Sequence, residues 1–530
     1  MYAAGQPEDK RLYYRLIDGG PPIALVDGWE LDMSNPSYSP DGNLVLFESE
    51  GSIYTVEALG GRPRPIRVGE GAPGNTLYSD PTWSSTGDAI AYVSTSDNSY
   101  VEIFEIGSAE VTFTLALSRV HSLSFSPDDK FLAAVLLNHG HARYGNNIAP
   151  MNVIVIDLSD SSVHTITDPA FMSLSPRWGP DSDELFYISN RLGGQDVYAQ
   201  KISSTGEGFG PPIRVTVGMN LHSMDLSIDG TRIAASDLNY TQNIYSWPLD
   251  KKPYATTADA VAITRGDQVI EGISVSTDGT QIAFDSNARG TSQIYTMPIA
   301  GGAPLQLTTG RAPSFVFDWS PYSDEISFHT FVNGVRASGL VHTAEQKVTI
   351  LPGSNLHDRY PVWLGDENTL GVHREIGANR LALFLMTRGE SGAWESGDMV
   401  VEDIRDGSQY SVVRNQLAFA RNGTIGIWDI ATDESWLLEE TREHIAAYPM
   451  WSDDGNTIYF LSLEKSSLIG TNRTAIAYMS IPAEGGTVRK VVDFTNSNKT
   501  RYFGDVNGNH VYTTRLEVES DLVVIDLERQ

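Results

Sequence analysis

Apolar residues along this chain come in short runs broken by clusters of Gly, Asp, Asn and Ser, a spacing that predicts strands and turns. The pattern is plainest from Gly272 to Thr308, where ISV, QIAF, QIYTMPI and LQLT form four apolar segments. Asp278-Gly279 predicts a tight hairpin, because glycine tolerates the positive φ that such turns need. Asn287 to Ser292 predicts a longer polar loop and Gly301-Gly302 a further turn. The stretch therefore reads as a four-stranded antiparallel meander of about 40 residues, the length of one propeller blade.

The same signature recurs as PSYSPDGNLVLF from Pro36, PTWSSTGDAIAYV from Pro81, LSFSPDDKFLAAV from Leu123 and PRWGPDSDELFYI from Pro176. It continues as MDLSIDGTRIAAS from Met224, FDWSPYSDEISFH from Phe317, PVWLGDENTLGVH from Pro361 and PMWSDDGNTIYFL from Pro449. Successive starts lie mostly 42 to 53 residues apart, and the 88-residue interval after Pro361 holds one degenerate repeat between Tyr410 and Leu438. Gly389 to Asp406, rich in Gly, Ser and acids, is expected to be a loop ahead of that repeat. Second and third strands such as FLAAVLL and NVIVIDL are near-continuous apolar runs, as in strands covered on both faces. No segment reads as a long amphipathic helix.

Leu12 to Val26 aligns with the last two strands of a repeat, while Arg501 to Arg515 and Leu522 to Leu527 supply the final strands. Strands from both termini are thus expected to close the array and remove an exposed sheet edge. The expected fold is all-β, a β-propeller of four-stranded antiparallel blades with about ten to eleven repeats. Residues 1–530 read as one continuous array closing as one large ring. The alternative is two rings dividing near 266 or 311, because rings usually have 4–8 blades.

The SPDG-like turns at Ser39-Pro40-Asp41-Gly42 and Ser126-Pro127-Asp128 carry a family resemblance, as do SNRLGGQDVY (Ser189–Tyr198) and SNARGTSQIY (Ser286–Tyr295). With these motifs the chain resembles the TolB-type propeller, related in architecture to WD-type repeats, over most of its length. That resemblance implies periplasmic protein–protein scaffolding, the substrate-filtering propellers of peptidases, or some polysaccharide lyases. The sequence departs from TolB itself in having no α/β domain ahead of the repeats and more than six of them. It carries neither a hydrolase domain nor a GxSxG nucleophile elbow.

Charge and composition narrow the partners. The 37 basic and 67 acidic residues leave a net charge of −30, which argues against nucleic acid and for solubility or attraction to basic surfaces. There is no cysteine, which excludes thiol catalysis, disulfides and cysteine metal sites and fits an exported chain. No apolar run approaches the ~20 residues that span a membrane. MYAAGQPEDK lacks the features of a signal peptide, so a periplasmic or extracellular protein is expected with any such peptide outside the numbered chain.

Candidate chemistry falls where the repeat is interrupted or where histidine recurs. Asn138 to Pro150, NHGHARYGNNIAP, is the longest insertion and brings together His139, His141, Arg143 and Tyr144. A His-x-His pair in an extended segment presents both rings to one face for a metal. Alternatively His and Tyr would exchange a proton while Arg neutralises a sugar carboxylate, the chemistry of a lyase. His121 and His222 stand just before first strands near the channel entry, with Arg177 and Arg359 at nearby repeat positions as ligand-binding candidates. His329 and His373 end second strands of adjacent blades and, with His357, would make a three-histidine divalent metal site. This site would resemble that of oligogalacturonate lyase-like propellers.

Trp83, Trp178, Trp319, Trp363 and Trp451 share one repeat position and are expected to pack between blades. The sequence-based conclusion is a non-catalytic exported propeller without a required cofactor, binding a protein or glycan through its top face and channel. The alternative is a lyase acting on an acidic glycan.

Overall fold

The computed structural model describes all residues except 7–8, 18, 27, 30, 70–75, 97, 138–148, 354–356, 378–379, 465–474, 496–499 and 528–530. Its described residues form eleven β-sheets, eight of them four-stranded, with only two short 3-10 turns, at Thr257–Asp259 and Glu439–His444. Pairing is antiparallel between successive strands, as the meander pattern requires. No helix of the described residues is long and apolar enough to cross a membrane.

Two compact units emerge. The first holds Met1–Asn239 and Glu519–Gln530, the second Tyr240–Lys465 and Asn472–Val518. The first unit contains the sheets from Tyr2–Gln6 to Gly208–Arg214 and then Leu221–Leu226, which pairs with the start of Arg232–Pro248. In the second unit six innermost strands follow one another: Ile273–Val275, Phe315–Trp319, Arg359–Leu364, Arg405–Ser411, Ala446–Trp451 and Thr500–Asn507. Each contacts the next, and Thr500–Asn507 also contacts Ile273–Val275, so the six make a ring. Its last blade is assembled from distant segments. Thr500–Asn507 pairs with the start of His510–Asp526, and the end of Arg232–Pro248 pairs with Val261–Ala262. Gln242 Nε2 donates to Thr514 Oγ1 at 2.7 Å between those two long strands.

The turn chemistry explains the regularity. Gly279 adopts φ +69°, and Ser276 Oγ and Thr280 N both donate to Asp278 Oδ1, at 2.6 and 3.0 Å. The same Ser-x-Asp arrangement closes the hairpins at Ser39/Asp41, Ser126/Asp128, Ser227/Asp229 and Ser452/Asp454. These acids are therefore structural acceptors that fix a turn. Apolar cores lie between neighbouring blades, as where Ala283 and Ile294 meet Val316, Ile326 and Phe328. Trp83, Trp178, Trp363 and Trp451 are buried in this layer, while Trp319 is only partly covered. Trp178 Nε1 and Trp451 Nε1 each donate to a carbonyl of the preceding blade, Ser124 O and Gln409 O, at 3.1 Å.

Gly389 to Asp406, expected as a loop, instead contains the strand Trp394–Val401 and the start of Arg405–Ser411. Trp394–Val401 is an edge strand with a mostly exposed run, Glu395 to Met399, so it carries no apolar alternation to reveal it.

Inside the sheets, Gly339 stands directly opposite Phe328, and a Cβ there would lie 2.6 Å from the ring's Cζ. Gly426 stands in the same relation to Phe419. Gly339→Ala is expected to lower the stability of the second unit by about 1–3 kcal/mol through overpacking. An unchanged urea midpoint would show that the Phe328 ring moves aside freely.

Candidate functional site

Several innermost strands of both units carry a bulge. In six of them the ladder skips where a residue takes left-handed φ: Asn35, Asp80, Ser122, Ser175, Tyr360 and Tyr448 all lie between 50° and 55°. Proline follows five of these six residues. Lacking an N–H, it fits the broken ladder at a bulge.

In the second unit Tyr360 lies between two histidines. Its ring stands edge-on to His329 at 5.8 Å and to His373 at 5.6 Å between centroids. His329 stacks on Phe315 at 5.0 Å, and Phe317 leans on Tyr360 at 5.3 Å. His373 is fully buried, and its Nε2 lies 2.8 Å from Ser408 Oγ on the next blade. Neither Nδ1 has a partner. Arg359, register partner of His373, donates Nη2 to Glu375 Oε2 at 3.2 Å. Burial, with Arg336 and Arg359 adding to it, holds His329 well below the usual imidazole range. Burial and Arg359 push His373 down to about 3. Both rings are therefore neutral near pH 7.

Beside this cluster a cavity of about 40 Å³ opens between the innermost strands. Phe317 and Ser408 join it to the histidines, while Ser274, Asp318, Gln409 and Asp505 give it a polar wall. Ser274, Asp318, Gln409 and Asp505 share one repeat position, directly before the residue that packs between blades, and each accepts a backbone N–H from another blade. Ser274 Oγ accepts from Trp319 at 2.9 Å, Asp318 Oδ2 from Trp363 at 2.9 Å, and Gln409 Oε1 from Trp451 at 2.6 Å. Asp505 Oδ2 accepts from Val275 at 2.7 Å and its Oδ1 from Gln409 Nε2 at 2.8 Å. Burial raises Asp318 to about 7, with the charge of Asp505 contributing and the Trp363 N–H opposing. Burial also raises Asp505 to about 6, against the N–H donors that favour its ionised form.

The expected site residues are distributed as follows. His139, His141, Arg143 and Tyr144 lie outside the described residues. In the first unit His121 is fully buried, with Nε2 2.7 Å from Leu137 O and Nδ1 2.9 Å from Ser122 Oγ. His222 is partly exposed on Leu221–Leu226, two blades away in sequence. Arg177 pairs with Asp225 at 3.0 Å. In the second unit Arg359, His329 and His373 come together, while His357 sits in the turn ahead of Arg359–Leu364 with φ 54°. Among the described residues no three His, Cys, Asp or Glu side chains gather as metal ligands would. Sequence reasoning passed over Tyr360, Ser408, Asp318 and Asp505. The last two carry no repeating signal, since the equivalent position is serine at 274 and glutamine at 409.

No family model matches the chain. Among solved structures it is similar to TolB from Acinetobacter baumannii, at 15% identity over 60% of this chain and 62% of that one, with a TM-score of 0.29. It is also similar to a putative TolB from Agrobacterium tumefaciens, at 15% identity over 56% and 89% of the two chains, TM-score 0.32. A third likeness is to the tricorn protease, at 14% identity over 85% and 49%, TM-score 0.27. The likeness is one of fold, and at these scores it carries no functional argument.

Proposed function

We propose that the chain is an exported, non-catalytic binding propeller whose second unit receives a protein or glycan partner at its channel mouth. The supporting observation is the bond between Ser408 Oγ and His373 Nε2 at 2.8 Å. A serine–histidine contact in a channel has the outline of a nucleophile and its base. A useful general base, however, titrates near the working pH and has its second nitrogen oriented by an acid. His373 titrates near 3, and its Nδ1 is unpartnered. The pair therefore ties one blade to the next, and the partly exposed Arg359, held by Glu375, and Tyr360 beside it are the surface through which a partner would bind. The cysteine-free composition agrees with an exported setting.

The full chain, screened on peptide and glycan arrays, is expected to bind members of one class saturably. Tyr360→Ala should weaken that binding at least tenfold with an unchanged circular dichroism spectrum. Activated esters and acidic polysaccharides should give no turnover. Ester cleavage or new ultraviolet absorbance that disappears in Ser408→Ala would overturn the reading.

A further inference from the structure

The cavity beside the histidine cluster carries acids and hydroxyls but no cationic side chain in its wall. Asp318 and Asp505 reach it from separate innermost strands, with the hydroxyls of Ser274 and Ser408 between them in the wall. Phe317 and Tyr448 add aromatic side chains, Ile273, Val316 and Met450 add apolar ones, and no lysine or arginine lines the cavity. Carboxylates with aromatic faces are the surroundings that an organic ammonium ion prefers, through ion pairing, N–H donation and attraction to the ring quadrupole. At about 40 Å³ the space holds roughly three water-sized spheres, enough for an ammonium head and the carbon bearing it.

The two carboxylates are unequal, and the inequality identifies the acceptor. Asp505 is saturated: Gln409 Nε2 and Val506 N donate to Oδ1, while Val275 N and Ser274 Oγ donate to Oδ2. It supplies charge from a fixed position. Asp318 receives Trp363 N on Oδ2, and no described residue donates to its Oδ1. One open carboxylate oxygen, held rigidly beside a second negative charge, is a preorganised acceptor for a cationic donor. Burial without a counter-ion raises both acids above the usual carboxylate range, a cost that an entering cation relieves.

We infer that this cavity takes the ammonium group of a lysine side chain from a protein partner, with Asp318 Oδ1 as its principal acceptor. The inference rests on the binding role proposed above and selects protein over glycan as the partner. A basic partner also suits a chain of net charge −30, whose field draws cations to its surface before any specific contact forms.

The test titrates the full chain with Nα-acetyl-lysine amide at pH 8 and physiological salt, followed by calorimetry. Its Nε-acetylated form, which keeps the stem and loses the charge, is the control. Saturable binding of the lysine amide, at least tenfold tighter than the acetylated form, is expected. Asp318→Asn should remove that preference. Asparagine keeps the size and still accepts the Trp363 N–H, and the change barely alters the surface charge that attracts cations non-specifically. Equal binding of the two ligands to the unaltered chain would overturn the inference without any variant. So would a preference that survives in Asp318→Asn. If the lysine amide fails while array binding still depends on Tyr360, the binding role stands and the ammonium cavity falls. The reverse pattern would sink the mouth as the partner site and leave the cavity standing.

Discussion

Asp358→Ala is expected to lower the stability of the second unit by about 3–5 kcal/mol, because it leaves a buried guanidinium without its counter-charge. Asp358 takes both Nε and Nη2 of Arg374 in a two-pronged pair, at 2.7 and 2.8 Å. The side chains are 3% and 11% exposed, so water cannot replace the missing carboxylate. Arg374 also donates to Ser396 Oγ at 3.1 Å and lies over the Phe384 ring at 4.5 Å, which holds the cation in place once its partner is gone. Urea denaturation followed by tryptophan fluorescence would measure the loss. The double change Asp358→Ala with Arg374→Met should recover much of it, since no orphan charge remains. If the single variant loses less than about 1 kcal/mol, the pair is more solvated than its exposure indicates.

The second large effect concerns pH. Asp285 is fully buried and accepts from Gly272 N at 2.6 Å, Glu271 N at 2.9 Å and Ser292 Oγ at 3.5 Å. Burial raises it to about 8, with the charge of Glu271 acting the same way and the N–H donors opposing. Between the ordinary carboxylate value and 8 the folded chain holds a proton that the unfolded chain has lost. Stability therefore falls as pH rises through this window, and Asp318 and Asp505 act in the same direction. A decline of a few kcal/mol between pH 5 and 9 is expected.

Asp285→Asn should flatten the decline above neutrality, although it costs stability at acid pH by turning an amide N–H toward backbone donors. In the first unit, Asp196 has the opposite sign. Burial works to raise it, but Arg214, Met219 N, Thr216 and Gly218 N together bring it below the usual range. Its contribution is present above the ordinary value and disappears as pH falls through the lowered one. Denaturation midpoints of Asp285→Asn and Asp196→Asn across pH 3–9 would show the two slopes. Parallel curves would contradict the assignment.

How much of this was legible in the sequence depended on whether a feature repeats. The Ser-x-Asp-Gly turns and the tryptophans recur at the blade period, so strands, hairpins and the inter-blade layer could be read directly. The placement of His329 and His373 at equivalent strand ends was legible for the same reason. Tyr360 was not: Tyr-Pro shows a break in the ladder, but the left-handed turn that seats the ring between two histidines depends on packing by neighbouring blades. Asp318 and Asp505 were hidden by their single-letter brevity among turn acids of unrelated purpose. The boundary between the units carries no linker composition, because it falls within Arg232–Pro248 and again within His510–Asp526, both continuous strands.

Those two long strands also set the order of events during biosynthesis. Arg232 Nε bonds to Asp526, 294 positions away, and Gln242 bonds to Thr514 across 272 positions. Loops of that size close slowly, and a chain leaving the ribosome at roughly 5–20 residues per second carries its early strands for many seconds before their partners exist. During that time the 232–248 segment, paired locally with 221–226 and 261–262, leaves the edge that meets 510–526 without its partner. A premature stop ahead of residues 510–526 would therefore be expected to leave an aggregation-prone product with an open sheet edge in place of a smaller working propeller.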